Sequence, residues 1–220
     1  MAELRGTPAA IHSRDLDVTG RRVVVCQPTS AAVVLGSAQP TDSIDEDAAR
    51  TRGLPVVRRR SGGGAVVVEP GHLLWAEVVV PAGDPMWEDD LGRSFLWLGR
   101  AWAEALERCG VAGAEVHTGP MERTRWSPAL CFAGIGPGEV LVGGRKVVGL
   151  SQRRRREGAV YQCAVLLAWD PAVSAALVRV DTPAQTEEIS RALTAAAASV
   201  PLEEATLASA LLSALASVAP

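Results

Sequence analysis

Three arginines, a serine and three glycines form the stretch of the sequence whose residue types are best suited to chemistry. The stretch reads Arg58-Arg59-Arg60-Ser61-Gly62-Gly63-Gly64-Ala65. Successive glycines give up side-chain packing and cost conformational entropy, so they indicate close backbone approach or positive φ angles. Their bare N–H groups can form an anion-binding concavity, and the neighbouring cations suit a phosphate or carboxylate. We interpret the stretch as a ligand loop, the alternative being a glycine turn with a solvated basic flank.

A lysine inside a glycine-bounded strand is the second candidate. The segment reads Gly143-Gly144-Arg145-Lys146-Val147-Val148-Gly149-Leu150-Ser151. A lysine ammonium can meet an oxyanion or phosphate as a point charge on a flexible stem. The alternative is an edge-strand lysine that protects against aggregation. With the glycine loop also present, we predict that Lys146 projects toward that loop.

One of four cysteines lies where a nucleophile would be expected. Cys26, Cys109, Cys131 and Cys163 are far apart with no C-x-x-C pair, which argues against a zinc site and a disulfide framework. Cys131 lies in a Gly-, Pro- and charge-rich segment, Thr118 to Gly138, long enough to be a functional loop. Positive neighbours could activate its thiol, although it could equally be a small buried apolar residue. We interpret the other three as structural.

The elements that must position these residues are mostly strands in the middle of the chain and helices around them. β-branched runs predict strands on both sides of the glycine loop, which we take as a tight connection between them. Further strands are predicted over 22–27, 31–36, 73–80, 139–142, 145–151 and 159–168. Helices are predicted over 44–52 with Ser43 as N-cap, over 91–109, 183–199 and 202–218, and at most a short one within 7–17. The pattern is that of an α+β fold, with a central mixed, largely antiparallel sheet flanked by helices.

Length and composition bound the class of protein. The 220 residues fit a single domain, 1–220, with an Ala-rich helical tail over 183–220 and no separate accessory domain. No uncharged run is as long as a membrane span, and no secretory signal is evident, so we expect a cytoplasmic protein without a membrane partner. The net charge of −3 gives no general case for nucleic-acid binding. The run Arg153 to Arg156 is either solvated surface or a basic rim that attracts an acidic partner.

These motifs together resemble the lipoate-protein ligase and octanoyltransferase family, which shares its fold with the biotin-protein ligases. The resemblance rests on the segments Val57 to Val66 and Gly144 to Arg153, on Val34-Leu35-Gly36-Ser37-Ala38-Gln39, and on Cys131-Phe132. It spans residues 22–170, and the three main motifs occur in the family's order. It implies a biotin/lipoate ligase-like catalytic domain.

For a ligase of this family, the resemblance implies activation of lipoate or octanoate with ATP and Mg²⁺, then acyl transfer to a carrier-domain lysine. It assigns Lys146 to the acyl carbonyl and the α-phosphate, and Arg59 and Ser61 to the acyl and phosphate oxygens. The remaining substrate- and nucleotide-binding residues implied are Gly62, Gly63, Gly64, Ala65, His72, Gly149 and Ser151. Implied partners are acidic lipoyl carrier domains, such as those of the 2-oxoacid dehydrogenase acyltransferase subunit and the glycine cleavage H protein.

Several positions depart from the ligase pattern. The family's His and Asn after the glycine loop are replaced by Val68 and His72, and a later His-Gly pair by Gln162-Cys163. Pro70-Gly71-His72-Leu73 is closer to the Pro-Gly-Gln-Leu of octanoyltransferases, which form an acyl-cysteine. The departures therefore leave a second mechanism open, in which Cys131 takes the acyl group from an acyl-carrier protein.

Three hypotheses follow, with the ligase narrowly preferred. The second is an octanoyltransferase that uses Cys131, and the third a catalytically weakened homologue that binds without turnover. A biotin ligase fits the arginine-glycine signature less well. If Lys146 stabilises charge late in the reaction, Lys146→Ala should reduce turnover far more than acid binding.

Overall fold

The computed structural model describes residues 2–15 and 17–218, without the side chain of Val218. Met1, Leu16, Ala219 and Pro220, which fall in the predicted domain, the predicted first helix and the predicted tail, lie outside the described residues. In chain order the strands are β1 (Ala2–Gly6), β2 (Arg22–Pro28), β3 (Ala32–Leu35), β4 (Val56–Arg58), β5 (Val66–Val68), β6 (Leu73–Pro81), β7 (Ala114–Val116), β8 (Val140–Val142), β9 (Arg145–Arg154) and β10 (Gly158–Leu166). The helices are α1 (Pro8–Ser13), α2 (Glu46–Thr51), α3 (Leu96–Arg108), α4 (Pro171–Ala175), α5 (Pro183–Ala196) and α6 (Glu204–Val218).

The strands form two sheets. The large sheet has the order β1-β2-β6-β10-β9-β8-β7, and the small sheet the order β4-β3-β5. β1 is parallel to β2 and β4 is parallel to β3, whereas all other neighbouring pairs are antiparallel. The predicted α+β fold with a mixed, largely antiparallel sheet and flanking helices is confirmed.

The alternation of side chains along β6 determines which layer covers each face of the large sheet. Leu74, Ala76 and Val78 pack in a core with residues of α3 and α6. Leu73 and Trp75 point to the opposite face, where they pack with residues of β3 and β5. The small sheet therefore covers one face of the large sheet and the helices α3 and α6 cover the other.

Helix α3 forms because its apolar residues recur at three- and four-residue spacing. Leu98, Ala101, Trp102 and Ala105 are fully buried on that face. The helix begins later than predicted, after a 3₁₀ turn at Arg93–Phe95. Leu91, predicted to lie on the buried face, is 58% exposed.

Asp90 caps the turn that precedes α3. Its side chain accepts a hydrogen bond from Arg93 N at 2.8 Å, and its carbonyl accepts one from Ser94 N. Leu91 therefore lies in the turn that precedes the helix.

The prediction that Ser43 caps α2 is wrong. Asp45 is the N-cap, because its carboxylate accepts from Ala48 N at 2.9 Å. Ser43 ends a 3₁₀ turn at Thr41–Ser43 and donates its hydroxyl to Pro40 O.

Three short elements were not predicted from the sequence: β1, β7 and α4. Each is five residues or fewer, which is too short to show a clear period. The two edge strands, β1 and β7, form by pairing with β2 and β8, which lie further along the chain. In the described part of the chain, no helix is both long enough and apolar enough to cross a membrane.

Candidate active site

Residues 59–65, the glycine loop, connect two strands as predicted, but the two strands are not neighbours in a sheet. β4 and β5 lie on opposite sides of β3, so the loop passes across the end of β3 to join them. Ser37 N donates to Ser61 O at 2.8 Å, which ties the loop to the residues after β3. A Cβ on Gly36 would lie 1.9 Å from Gly63 O, so this crossing requires glycine at position 36.

Arg59 holds the glycine loop in shape from within. Its guanidinium donates to Val34 O, Gly62 O and Gly64 O at 2.6 to 3.1 Å, and to Ser61 Oγ at 3.1 Å. Burial lowers the pKa of Arg59, while the negative form of Cys131 acts in the opposite direction. The Arg59 donors are thus committed to the loop, and contact of Arg59 with a ligand stays a prediction.

Ser61 belongs to a buried polar network rather than to a cavity wall beside the glycines. Its hydroxyl donates to Gln162 Oε1 at 2.6 Å and lies 3.0 Å from Ser151 Oγ. Gln162 in turn donates to Glu77 Oε1 at 2.9 Å, and Glu77 is paired with Arg14. The network fixes the glycine loop to the middle of the large sheet.

Residues 129–134, the cysteine segment, lie directly against the glycine loop. Ala65 N donates to Ala129 O at 2.8 Å, and Cys131 N donates to Ala65 O at 2.9 Å. A Cβ on Gly64 would lie 2.7 to 2.9 Å from backbone atoms of Leu130 and Cys131. The third glycine therefore permits the close approach that brings the Cys131 backbone to the loop.

Lys146 is buried beneath the cysteine segment. Its side chain is only 1% exposed, and its ammonium donates to Cys131 O and Gly134 O, both at 2.7 Å, and to Glu139 Oε2 at 3.0 Å. The ammonium also lies 4.9 Å from the centre of the Phe132 ring. All three N–H donors of the lysine are thus directed at the segment that carries Cys131 and at Glu139.

Glu139 was not singled out from the sequence. It lies just before β8, is 4% exposed, and accepts from Gly136 N at 2.7 Å, from Leu150 N at 3.1 Å and from the Lys146 ammonium. The two-residue turn Gly143-Gly144, with φ of 57° and 74°, fixes the register of β8 on β9. The Gly143-Gly144 turn could have identified Glu139 in the sequence, because the hairpin places a residue preceding β8 beside the strand of Lys146.

Two cavities meet at Cys131. The apolar cleft runs between the two sheets and is lined by side chains such as Val34, Val66, Trp75 and Ala164. The polar cavity, of about 290 Å³, lies outside it and is lined by residues that include the three loop glycines, Arg123, Glu139 and Lys146. Cys131, Leu150 and Ser151 line both cavities. The half-buried Cys131 therefore lies where an apolar chain and a polar head group would join.

The structure brings most of the predicted site residues together, with one exception. The loop glycines, Lys146 and Ser151 surround the polar cavity, Arg59 and Gly149 line the apolar cleft, and Ala65 anchors the cysteine segment. His72 lies outside both cavities, half exposed and hydrogen-bonded to Glu69 at 3.1 Å. The turn before β6 points its ring to solvent, and its place in the binding site stays a prediction.

His12 is a further residue of the cleft that sequence reasoning missed. Its ring lies 4.5 Å from that of Trp75, and its Nδ1 is buried without a hydrogen-bond partner among the described residues. Burial, followed by the charges of Arg59 and Arg14, lowers the pKa of His12 to about 4. The cleft therefore contains a neutral imidazole at physiological pH.

The described residues include no group of three or more His, Cys, Asp or Glu side chains placed to hold a metal ion. A second depression, of about 600 Å³, lies between α2 and β4 and is lined by Arg50, Arg58 and Glu46. It contains none of the predicted site residues, although Arg58, which precedes the glycine loop, lines it. The chemistry-bearing residues are thus concentrated around Cys131.

The sequence of residues 11–204 matches the family described as the lipoyl protein ligase A/B catalytic domain. Because this match covers most of the chain, the protein belongs to that family. The family comprises lipoate-protein ligases and octanoyltransferases.

Two curated relatives are octanoyltransferases called LipM. The one from Moorella thermoacetica is 35% identical over 120 residues, which is 54% of this chain and 42% of the relative. The one from Clostridioides difficile is 23% identical over 142 residues, which is 64% of this chain and 52% of the relative. The matched region thus spans about half the length of these curated relatives.

The solved structures with the same fold include lipoate-protein ligases. A bipartite ligase from Thermoplasma acidophilum, studied with its E2 lipoyl domain, has a TM-score of 0.77 at 18% identity, covering 99% of this chain and 82% of that one. Lipoate-protein ligase A bound with ATP has a TM-score of 0.69 at 18% identity, covering 99% and 85%. At such identities the likeness shows the fold alone.

Proposed function

We propose that the protein is an octanoyltransferase that carries the acyl group on Cys131 and delivers it to a lysine of a lipoyl carrier domain. The observation that carries the proposal is the position of Cys131, which lines both the apolar cleft and the polar cavity. An acyl chain in the cleft, which at about 50 Å³ must widen to hold the whole chain, would place its carbonyl at the mouth, beside the thiol. The likeness to two octanoyltransferases supports the same activity.

The reaction proceeds in two exchanges at one sulfur. The Cys131 thiolate attacks the thioester carbonyl of an octanoyl-acyl-carrier protein, a new S–C bond forms, and the carrier thiol leaves with the proton lost by Cys131. The amine of a lipoyl-domain lysine then attacks acyl-Cys131, an amide forms, and the sulfur regains a proton. Both steps conserve the acyl group, and neither needs an oxidant or a nucleotide.

The position of Lys146 supports the transferase over the ligase preferred from the sequence. A ligase would need this ammonium at the acyl carbonyl and the α-phosphate of ATP, yet its three donors are engaged by Cys131 O, Gly134 O and Glu139. The donors of the lysine are thus already engaged, and we route no step through ATP or Mg²⁺. In the transferase, the lysine fixes the cysteine segment and supplies positive charge beneath it.

The partners proposed are an acyl-carrier protein as donor and an acidic lipoyl carrier domain as acceptor. The 2-oxoacid dehydrogenase acyltransferase subunit and the glycine cleavage H protein are the acceptor types the resemblance implies. A structural relative was studied with its E2 lipoyl domain, which supports the acceptor class. The exposed arginines at the site, Arg60 in the glycine loop and Arg123 beside the polar cavity, would raise the rate of encounter with such acidic carriers.

Mass spectrometry of the intact protein tests the proposal. The wild type is incubated with octanoyl-acyl-carrier protein and, separately, with octanoate, ATP and Mg²⁺. We expect one octanoyl adduct on the protein in the first mixture, its absence in Cys131→Ala, and its retention in the control Cys109→Ala. Octanoyl-adenylate in the second mixture, with no adduct in the first, would establish a ligase instead.

A further inference from the structure

We infer that Glu139 is the positioning residue of the site, which acts through Lys146 to hold Cys131 where the two cavities meet. This inference rests on the proposed function, because it concerns the acylation of Cys131. It assigns a role to a carboxylate that lies outside the arginine-glycine and lysine motifs.

The first argument is the charge balance around a buried ammonium. Lys146 and Glu139 are 1% and 6% exposed at their side chains, and their charged atoms are 3.0 Å apart. The other two acceptors of the ammonium are neutral carbonyls, those of Cys131 and Gly134. Glu139 is thus the anion that makes burial of the lysine charge tolerable.

The second argument is geometric, since each oxygen of Glu139 fixes a different part of the site. Oε2 accepts from Lys146 and from Gly136 N at 2.7 Å, which ties β9 to the chain that follows Cys131. Oε1 accepts from Leu150 N at 3.1 Å, and Leu150 lines both cavities. One carboxylate therefore sets the distance between the lysine strand and the far side of the cysteine segment.

The Lys146 ammonium connects Glu139 to the backbone of Cys131. Lys146 donates to the carbonyl of Cys131 itself, at 2.7 Å, while the amide of Cys131 is held by Ala65 O at 2.9 Å. The Cys131 backbone is thus held from the glycine loop on one side and from Lys146 on the other. Loss of the Glu139 charge would leave the ammonium free to turn toward water in the polar cavity and would release the Cys131 carbonyl.

A double-mutant cycle on the acylation step tests this inference. The variants are Glu139→Gln, Lys146→Met and the double variant, and Glu115→Gln, an exposed carboxylate on β7, is the matched control. The readout is the single-turnover rate of acyl-Cys131 formation from octanoyl-acyl-carrier protein, with the donor concentration at half-maximal rate measured separately. Circular dichroism confirms which variants are folded.

We expect Glu139→Gln to slow acylation on the order of 100-fold while the half-maximal donor concentration stays nearly unchanged, because the nucleophile is misplaced and donor binding is not. In the Lys146→Met background, Glu139→Gln should cause no further loss, because the carboxylate acts through the ammonium. Glu115→Gln should acylate at the wild-type rate.

Equal acylation rates in Glu139→Gln and wild type would overturn the role of Glu139 while leaving the Cys131 mechanism intact. Fully multiplicative losses in the double variant would also overturn it, since they would show an effect independent of Lys146. Failure of the proposed function has a different signature, in which the wild type itself forms no acyl-cysteine.

Discussion

Lys146 carries its positive charge inside the protein, and its neighbours explain how. Two carbonyls, one carboxylate and the face of Phe132 surround the ammonium, so the desolvation cost is offset by three hydrogen bonds, one of which is the ion pair with Glu139. The same contacts give the charge a use, since one of the carbonyls belongs to Cys131. The sequence suggests that Lys146 binds a ligand, whereas in the structure its ammonium is bound to its own chain.

The buried His12 should make the stability of the folded protein depend on pH. Its pKa is lowered to about 4, from an ordinary value of 6.5, by burial and then by Arg59 and Arg14. As the pH falls from 6.5 toward 4, the unfolded chain takes up a proton at this histidine that the folded protein does not. The folded state therefore loses stability through that window.

Replacement of the histidine should remove that part of the pH dependence. His12→Phe keeps an aromatic ring against Trp75 but cannot be protonated. We expect the urea unfolding midpoint of the wild type to fall further between pH 7 and pH 5 than that of His12→Phe. An identical fall in the two proteins would show that His12 does not resist protonation in the fold.

At the scale of elements, the glycine loop and the cysteine segment form one unit. Arg59 shapes the loop from inside, and the bridge between Ala65 and Leu130 joins it to the segment. Gln39 adds a third tie from the end of β3, because its side chain donates to Ala129 O at 2.9 Å. Cys131 is therefore held by contacts to the glycine loop and to the residues after β3 as well as by its own long loop.

Two neighbouring glycines allow this unit to be tested with a matched pair. A methyl group at Gly64 would lie under 3 Å from the backbone of Leu130 and Cys131, whereas one at Gly62 would meet nothing within 4 Å. Gly64→Ala should displace Cys131 and slow its acylation about 100-fold. Gly62→Ala, which adds a methyl group at the polar cavity without touching the cysteine segment, should slow acylation far less, and a similar effect of both substitutions would contradict the proposed contact.

The sequence predicted the long elements and the reactive residue types better than their contacts. The apolar period of α3 and the valine-rich β6 were recognisable because each is long and buried on a consistent face. Lys146 and Cys131 were identifiable because a lysine in an apolar strand and a cysteine in a long polar loop are unusual. The crossing of the glycine loop over β3 could not be predicted, because it depends on pairing between strands that are distant along the chain.

The positions of Glu139 and His12 in the site could not be predicted from the sequence. Glu139 precedes an ordinary short strand, and its importance depends on the burial of partners seven and eleven residues further along. His12 lies in a short helix near the start of the chain, and only the packing of α1 against the sheets brings it beside Trp75. Neither residue has a local pattern that distinguishes it from a surface residue.

At the scale of the whole molecule, the proposed transferase would bind the two parts of its substrate in two separate cavities. The space between them forms the apolar cleft, while the glycine loop and the cysteine segment border the polar cavity outside it. Helices α3 and α6 close the opposite face of the large sheet, where residues such as Trp102 and Leu211 are fully buried. The side that bears Cys131 is therefore the one that the proposed carrier proteins would approach.

The most direct test of the account is the chemical competence of the acyl-enzyme. The protein is acylated with octanoyl-acyl-carrier protein, separated from the donor, and mixed with an unmodified lipoyl carrier domain without ATP. We predict that the octanoyl group, mapped first to Cys131 by peptide mass spectrometry, moves to the carrier lysine and leaves a free thiol. An isolated protein without an adduct, together with octanoylation of the carrier that depends on octanoate and ATP, would contradict the central role of Cys131.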